Sequence, residues 1–565
     1  MTKRTLFNAV TTAAFTLGVL ACGAQGWGQQ QQAAPARGGQ QQPPAPPTGK
    51  APVVHVTGGQ IEGAYFNAEK DVAVYRGIPF AAPPVGELRW RAPQPVKAWS
   101  GVRDGSKYGG SCAVNGGVDD CLYLNVYRPA DAKPGAKLPV MVWIYGGSFT
   151  SGAGSLYDGT PYAKRGVVFV SINYRLGRAG WFAHPAITKN NPKGEALANY
   201  GLLDDIAALR WVQANIATFG GDKNNVTVFG ESAGGISVNY LMTVAPTRGL
   251  FHKAISQSSF GHLAARPLAG SEAQGKTFFD GKNITGDSAE TLAKMRAMPF
   301  ADLQAGASAG PINDGVLVKQ NADAAFEKGD EMKIPWVVGG TSDEASFFIR
   351  AGQTPLDVRL SRITQNRDQA LAAYDPTGER NADRILHGMI TDQNITEPDR
   401  ALARFHVKNG QTTYRYFFSY LPRATRTTAM GVGHGGEVGY AFARPGQTNF
   451  PEDFATSNSM VSYWSGFAKY GDPGSAGGPP WSKYAPPSEV VMEFSSSGPK
   501  PTAGFLNSRL DWILANGQQV TAAGAAVAGA GAPQGAPAAA GGRGGAGRGG
   551  GGAGAPAGGR GGRGG

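Results

Sequence analysis

No stretch of this chain holds the ~20 consecutive apolar residues that a helix needs to cross a bilayer. The nearest approach, residues 6–20, is short and diluted by threonines, which speaks against a membrane span. Acids are missing from both ends: residues 1–50 carry four basic side chains, residues 516–565 carry four more, and neither stretch has an Asp or Glu. Of the net charge of +12, the body therefore keeps only +4, which is not the footprint of a nucleic-acid-binding domain. Large apolar side chains are scarce in residues 29–50 and 541–565, which read "QQQQAAPARGGQQQPPAPPTGK" and "GGRGGAGRGGGGAGAPAGGRGGRGG". Such segments cannot bury enough surface to offset the entropy of ordering them. Internal repeats are absent too. Cysteines number only three in 565 residues.

What the ends do contain is informative. Lys3 and Arg4 precede the short apolar run, and small residues follow at 21–24, the layout of a secretory signal over residues 1–24. "VLAC" also resembles a lipobox, in which Cys22 would be lipidated and would anchor the chain to a membrane. Residues 25–50 then read as a disordered linker, 51–515 as a single large domain, and 516–565 as a disordered Gly/Ala/Arg-rich tail. The tail has the look of RGG segments that bind RNA. In an exported protein a solvated tail, or one touching an anionic cell surface, is the better reading. Export to a periplasmic or extracellular space also suits Cys112 and Cys121, which would close a small loop there, worth about 2–3 kcal/mol. The alternative is two free buried thiols.

The body alternates strand-like and helical runs. "LPVMVWIY" (138–145), "VVFVSINY" (167–174), "VTVFG" (226–230) and "IPWVVGG" (334–340) suit strands buried on both faces. Between them, residues 199–222 repeat apolar side chains at helical spacing until Gly220 and Gly221 stop the run. This predicts an α/β fold with a mostly parallel sheet. Residues around 262–330 and 350–412 have helical periodicity without strong strands and read as insertions over the sheet. Trp181, Phe182 and Tyr157 are aromatics near sheet edges, suited to a pocket wall or to plain core.

One short segment carries chemistry. "GESAG" (230–234) matches G-x-S-x-G, weak in a glycine-rich chain but placed between a strand and a helix start. A tight turn there needs small neighbours, and Gly230 and Gly234 provide them, so Ser232 reads as a nucleophile rather than an ordinary turn serine. A serine nucleophile needs a base. In the order serine, acid, histidine, only His387, His406 and His434 of the seven histidines come late enough. The first two sit in helix-like surroundings and read as surface or packing residues, whereas His434 lies in the glycine-rich "MGVGHGGEVGY". The acid should follow a strand, and "VVGGTSDEASFF" (337–348) offers Asp343 and Glu344 without a choice between them. Backbone donors for an oxyanion would come from Ala233 and from Gly146, Gly147 or Ser148, just past the strand of "VWIYGGSFTSGAG".

Over nearly all of residues 55–512 the chain resembles the type-B carboxylesterases, the cholinesterase-like branch of the α/β-hydrolases. The resemblance rests on "YRGIPFAAPPVGELRWRAPQP" (75–95), "DDCLYLNVYRP" (119–129), "FGGDKNNVTVFGESAGG" (219–235), "GTSDEASFF" and "GVGHGGEVGYAF". It implies an α/β-hydrolase fold with helical insertions over the active site. It further implies a Ser232–His434–Glu344 triad, oxyanion donors at Gly147, Ser148 and Ala233, and a Cys112–Cys121 disulfide. The expected reaction is hydrolysis of small-molecule carboxylic esters through an acyl-enzyme, with no metal or organic cofactor. Amide, carbamate or lactone cleavage would use the same triad; a non-catalytic adhesion protein of this fold would lack it. Glu231, Ser258 and Glu437 match positions that line or support the triad in relatives. Ser148 stands where the family usually has Gly or Ala, Asp120 where Glu is usual, and Asp205 where Gln is common.

Overall fold

A computed structural model of the chain describes residues 46–348, 366–379, 381–445 and 450–516. The signal-like segment, most of the linker, nearly all of the tail and part of the second insertion lie outside the described residues. Thirteen strands among the described residues form one sheet. Its first half comprises β1 (Gly49–Val56), β2 (Gly59–Tyr65), β3 (Val72–Pro79), β4 (Val102–Asp104), β5 (Tyr123–Pro129), β6 (Leu138–Ile144) and β7 (Val168–Ile172). Its second half comprises β8 (Gly221–Glu231) and β9 (Lys253–Gln257), then, after the separate pair β10 (Arg266–Pro267) and β11 (Ile312–Asn313), β12 (Trp336–Thr341), β13 (Thr413–Phe418), β14 (Val491–Ser495) and β15 (Gly498–Thr502).

The order is β1-β2-β3-β5-β7-β6-β8-β9-β12-β13-β14-β15, with β4 on β2. From β7 to β14 every neighbour is parallel, and the antiparallel pairs lie towards the edges. The four apolar runs expected to be strands fall on β6, β7, β8 and β12. Val140 to Ile144 and Val168 to Ile172 are wholly buried, as strands covered on both faces must be. Helix Tyr200–Asn215 covers the sheet with Leu202, Ile206, Leu209 and Val212, and Gly220 ends the following turn at a φ of 86°. The chain is thus an α/β protein with a mostly parallel sheet.

Helices Leu268–Asp280, Ala289–Ala297, Phe300–Gln304 and Ala322–Lys328 fill the first insertion. Phe279, Leu292, Met295 and Leu303 pack there on Trp90 and Phe182. Helices Arg367–Tyr374, Ala382–Thr391 and Glu397–Lys408 fill the described part of the second. Trp181 and Phe182 are buried and belong to the core, whereas Tyr157 is half-buried and lies against Trp143, Tyr145 and Phe442. No described helix is long and apolar enough to cross a membrane. Cys112 and Cys121 form a disulfide with their Cα atoms 5.2 Å apart.

The expected end of the domain, near residue 515, lies in a helix packed on the second insertion. A helix over 507–516 puts Trp512 and Ile513 against Tyr374, Ile385 and Met389, and Asn516 accepts a hydrogen bond from the Asn366 amide at 3.0 Å. Trp512→Ala is therefore expected to cost about 3 kcal/mol or more, read as a lower urea midpoint with an unchanged slope.

Candidate active site

The parallel strands point their C-terminal ends at one edge of the sheet, and the chemistry-bearing residues collect there. Ser232 stands between β8 and helix Ala233–Leu241, with φ 55° and ψ −121°. This is a strained conformation for a serine, and the surroundings hold it in place. The Ser232 N–H donates to the Gln257 carbonyl on β9 at 2.9 Å, and the Ser232 carbonyl accepts from Ile236 N–H at 2.8 Å. The turn leaves no space for side chains beside it. A Cβ at Gly234 would lie 2.0 Å from the Ile144 carbonyl oxygen, and one at Gly230 would lie 2.6 Å from the Gly234 backbone.

The acid arrives just after β12 and the histidine on the loop after β13. His434 Nε2 lies 2.8 Å from Ser232 Oγ, and Nδ1 lies 2.5 Å from Glu344 Oε2. The other carboxylate oxygen of Glu344 accepts from Ser258 Oγ and from Thr341 N–H, both at 2.7 Å. Glu344 is fully buried. Burial alone would raise its pKa, but the His434 imidazole and these hydrogen bonds outweigh it and hold the carboxyl below its usual range. In His434 too the partners outweigh burial, with the opposite sign: burial favours the neutral ring, yet the Glu344 and Glu231 carboxylates raise its pKa to about 9.

Asp343, the other acid left open by the residues alone, is engaged elsewhere. Its Oδ1 accepts from His387 Nδ1 at 2.6 Å. His387 and His406 are both buried, not surface groups; His406 binds Glu331 at 3.0 Å and the Ile334 carbonyl at 2.9 Å. These two histidines therefore stay away from Ser232, and His434 alone reaches it among the three candidates.

Facing the serine from β6, Gly147, Ser148 and Phe149 turn through positive φ values of 110°, 54° and 57°. Neither Gly147 N–H nor Ser148 N–H has an acceptor among the described residues. Ala233 opens its helix, where backbone N–H groups are left without an intrahelical partner. A Cβ at Gly146 would meet Ser232 Cβ at 2.9 Å, a measure of how closely this loop approaches the serine.

Glu231, Ser258 and Glu437 also gather here. Glu231 Oε1 is 3.4 Å from His434 Nε2. Burial pushes the carboxyls of Glu231 and Glu437 up, and Glu344 close by pushes them further. Gln257 donates to Glu437 at 3.2 Å, accepts from Trp464 Nε1 at 3.1 Å, and Tyr416 OH donates to Glu437 at 3.4 Å. Gln257, Tyr416 and Trp464 carry no local signature. They are buried polar groups in strands and a helix that meet only in three dimensions. Asp205 lies wholly buried, with its pKa raised by burial and by the Asp204 carboxylate; Asp120 accepts from Tyr123 OH at 2.8 Å on the surface.

The Carboxylesterase family pattern matches residues 50–508. Over 481 residues the chain is 36% identical to a fumonisin B1 esterase from Sphingopyxis macrogoltabida, covering 79% of this chain and 87% of that protein. It is 32% identical over 507 residues to mouse carboxylesterase 1D, covering 77% and 88%. A carboxylesterase of solved structure from Geobacillus stearothermophilus superposes with a TM-score of 0.70 at 31% identity, covering 81% of this chain and 98% of that one.

The close approach of β6 and the serine turn has a direct consequence. Gly234→Ala must displace the Ile144 carbonyl, so it should destabilise the fold by about 3 kcal/mol or more, seen as a lowered thermal midpoint or loss of soluble protein.

Proposed function

The chain belongs to the carboxylesterase family and is a carboxylic ester hydrolase, and from that premise we propose that it works through an acyl-enzyme on Ser232. The observation that carries this reading is the continuous hydrogen-bonded line from Ser232 Oγ through His434 to Glu344. In this reading Ser232 Oγ attacks the ester carbonyl carbon while His434 Nε2 takes the hydroxyl proton. The carbonyl oxygen, now an oxyanion, is held by the N–H groups of Gly147, Ser148 and Ala233. Each such donor is worth about 10²–10³ in rate. Collapse breaks the bond to the leaving oxygen, which departs as the alcohol with the proton from His434. Water then attacks the acyl carbon, giving its proton to His434, and the second collapse returns that proton to Ser232 and releases the carboxylic acid.

Glu344 orients the imidazole and stabilises its cationic form. Its fixed geometry supports that role, because both of its oxygens are already occupied by donors. Ser148 brings a hydroxyl to the edge of the oxyanion loop, where it can hydrogen-bond a polar acyl group and crowd a bulky one. The substrates are small-molecule esters. The disulfide agrees with folding in an oxidising compartment outside the cytoplasm. Anchoring through a lipidated Cys22 remains part of the proposal and rests on the sequence alone.

Ser232→Ala should lower kcat on a p-nitrophenyl ester by about 10⁴-fold or more and abolish labelling by a fluorophosphonate probe; full activity in folded protein would refute the assignment. Glu231→Gln tests the electrostatics. The Glu231 carboxylate raises the pKa of His434, and the reaction needs the neutral ring. Removing that charge lowers the pKa, so the acid limb of the kcat/KM profile should move to lower pH.

A further inference from the structure

The buried Asp343–His387 pair lies beside the site but outside the reaction just described. His387 sits on helix Ala382–Thr391, only 4% exposed, and donates from Nδ1 to Asp343 Oδ1. Asp343 immediately precedes Glu344 and occupies the N-cap position of the turn Glu344–Phe347. Aspartate is among the best capping residues, yet this one makes no cap bond with its side chain. Its carboxylate is turned towards His387 instead. Burying a polar pair costs free energy that two apolar side chains would not, so what the pair adds is direction rather than packing.

The backbone around Asp343 shows what is being directed. Asp343 N–H donates to the Val432 carbonyl at 2.8 Å, and Val432 N–H donates to Ser342 Oγ at 2.8 Å. Asp343 also forms a bridge with Gly433, the residue before His434. One residue past the acid, Ala345 N–H donates to Thr391 Oγ1 at 3.1 Å, on the same helix as His387. Helix Ala382–Thr391 therefore grips the chain on both sides of Glu344, and the gripped segment in turn grips the loop that carries His434. The helix is itself packed against Tyr374, Trp512 and Ile513.

We propose that His387, acting through Asp343, is a positioning residue for ester hydrolysis, holding Glu344 and the His434 loop in register. The proposal rests on the Ser232–His434–Glu344 reading and adds a support that the reading does not require. It touches neither substrate nor the reacting atoms. Misplacement of reacting groups by an ångström can cost up to about 10²-fold in rate, so loosening this clamp should show in kcat rather than in substrate binding.

The test is steady-state kinetics of the full chain on p-nitrophenyl acetate, with melting curves for each variant. His387→Ala should lower kcat about tenfold with KM within about twofold. His387→Asn keeps an N–H donor near the Nδ1 position and should recover to within about threefold of the native kcat. Asp343→Ala should match His387→Ala, and the double variant should be no slower than either, because the two act as one unit. An unchanged kcat in His387→Ala, an Asn variant no better than Ala, or losses that multiply in the double variant would each overturn the proposal. Failure of both alanine variants to fold would overturn it as well, by making the pair purely a folding element. Ser232→Ala run alongside separates the two levels: full activity there sinks the triad, while its inactivity beside a normal His387→Ala sinks only the positioning role.

Discussion

Everything at the site depends on how closely two backbones meet. β6 and the turn after β8 approach until the Ile144 carbonyl lies where a Cβ of residue 234 would be. Only glycine permits that contact, and the contact holds Ser232 in a conformation that a free chain would avoid. The same approach brings the loop after β6 up to the serine, so that Gly147 and Ser148 face the same space as Ala233. The proposed nucleophile and the proposed oxyanion donors are therefore placed by one packing arrangement rather than by separate features. The parallel register of β6, β8 and β9 sets it, because Gly230 pairs with Ile144 and with Ser256 at the ends of their strands.

Around that backbone contact the charges form a buried group with an excess of acid. Glu344, Glu231 and Glu437 converge on a single imidazole. Burial alone would keep all four groups neutral. Glu344 escapes because its oxygens receive donors from Ser258, Thr341 and His434, and it stays ionised. Glu437 receives only the longer bonds from Gln257 and Tyr416, and burial pushes both it and Glu231 towards the protonated form. The result is a site with one committed carboxylate and two that titrate more readily, which stabilises a cationic His434 without crowding it with three full negative charges.

Precision then comes from outside the sheet. The acid and the histidine sit on segments after β12 and β13 that are tied together through Ser342, Asp343 and Val432. Helix Ala382–Thr391 holds that tie from the side, and the helix over 507–516 backs it in turn. The contacts that tie these segments together thus run through the second insertion to the last described residues of the chain. Ser148 stands at a φ of 54°, in a region that costs a residue with a side chain about 1 kcal/mol or more. The packed Phe149, against Trp181 at 4.4 Å, helps to hold the loop there.

Much of this was legible in the chain. Apolar runs bounded by glycine marked β6, β7, β8 and β12, because a strand buried on both faces needs no polar alternation. The strand–glycine–serine–glycine–helix order marked Ser232, because a tight turn permits few side chains. Glycine around His434 separated it from His387 and His406, whose helical settings were equally legible but whose burial was not. Local pattern reports which face of an element is apolar, not what another element places against it. Hence Asp343 and Glu344, adjacent in sequence, could not be told apart from their residues: resemblance favoured Glu344, and only the fold gave one carboxylate to His434 and the other to His387. The Gln257–Trp464–Tyr416 contacts were invisible for the same reason. By itself the sequence determined the strands, the turn and the types of group available, since these follow from spacing and backbone sterics. The tertiary structure decided which buried acid meets which base, since that depends on contacts between residues some ninety positions apart in the chain.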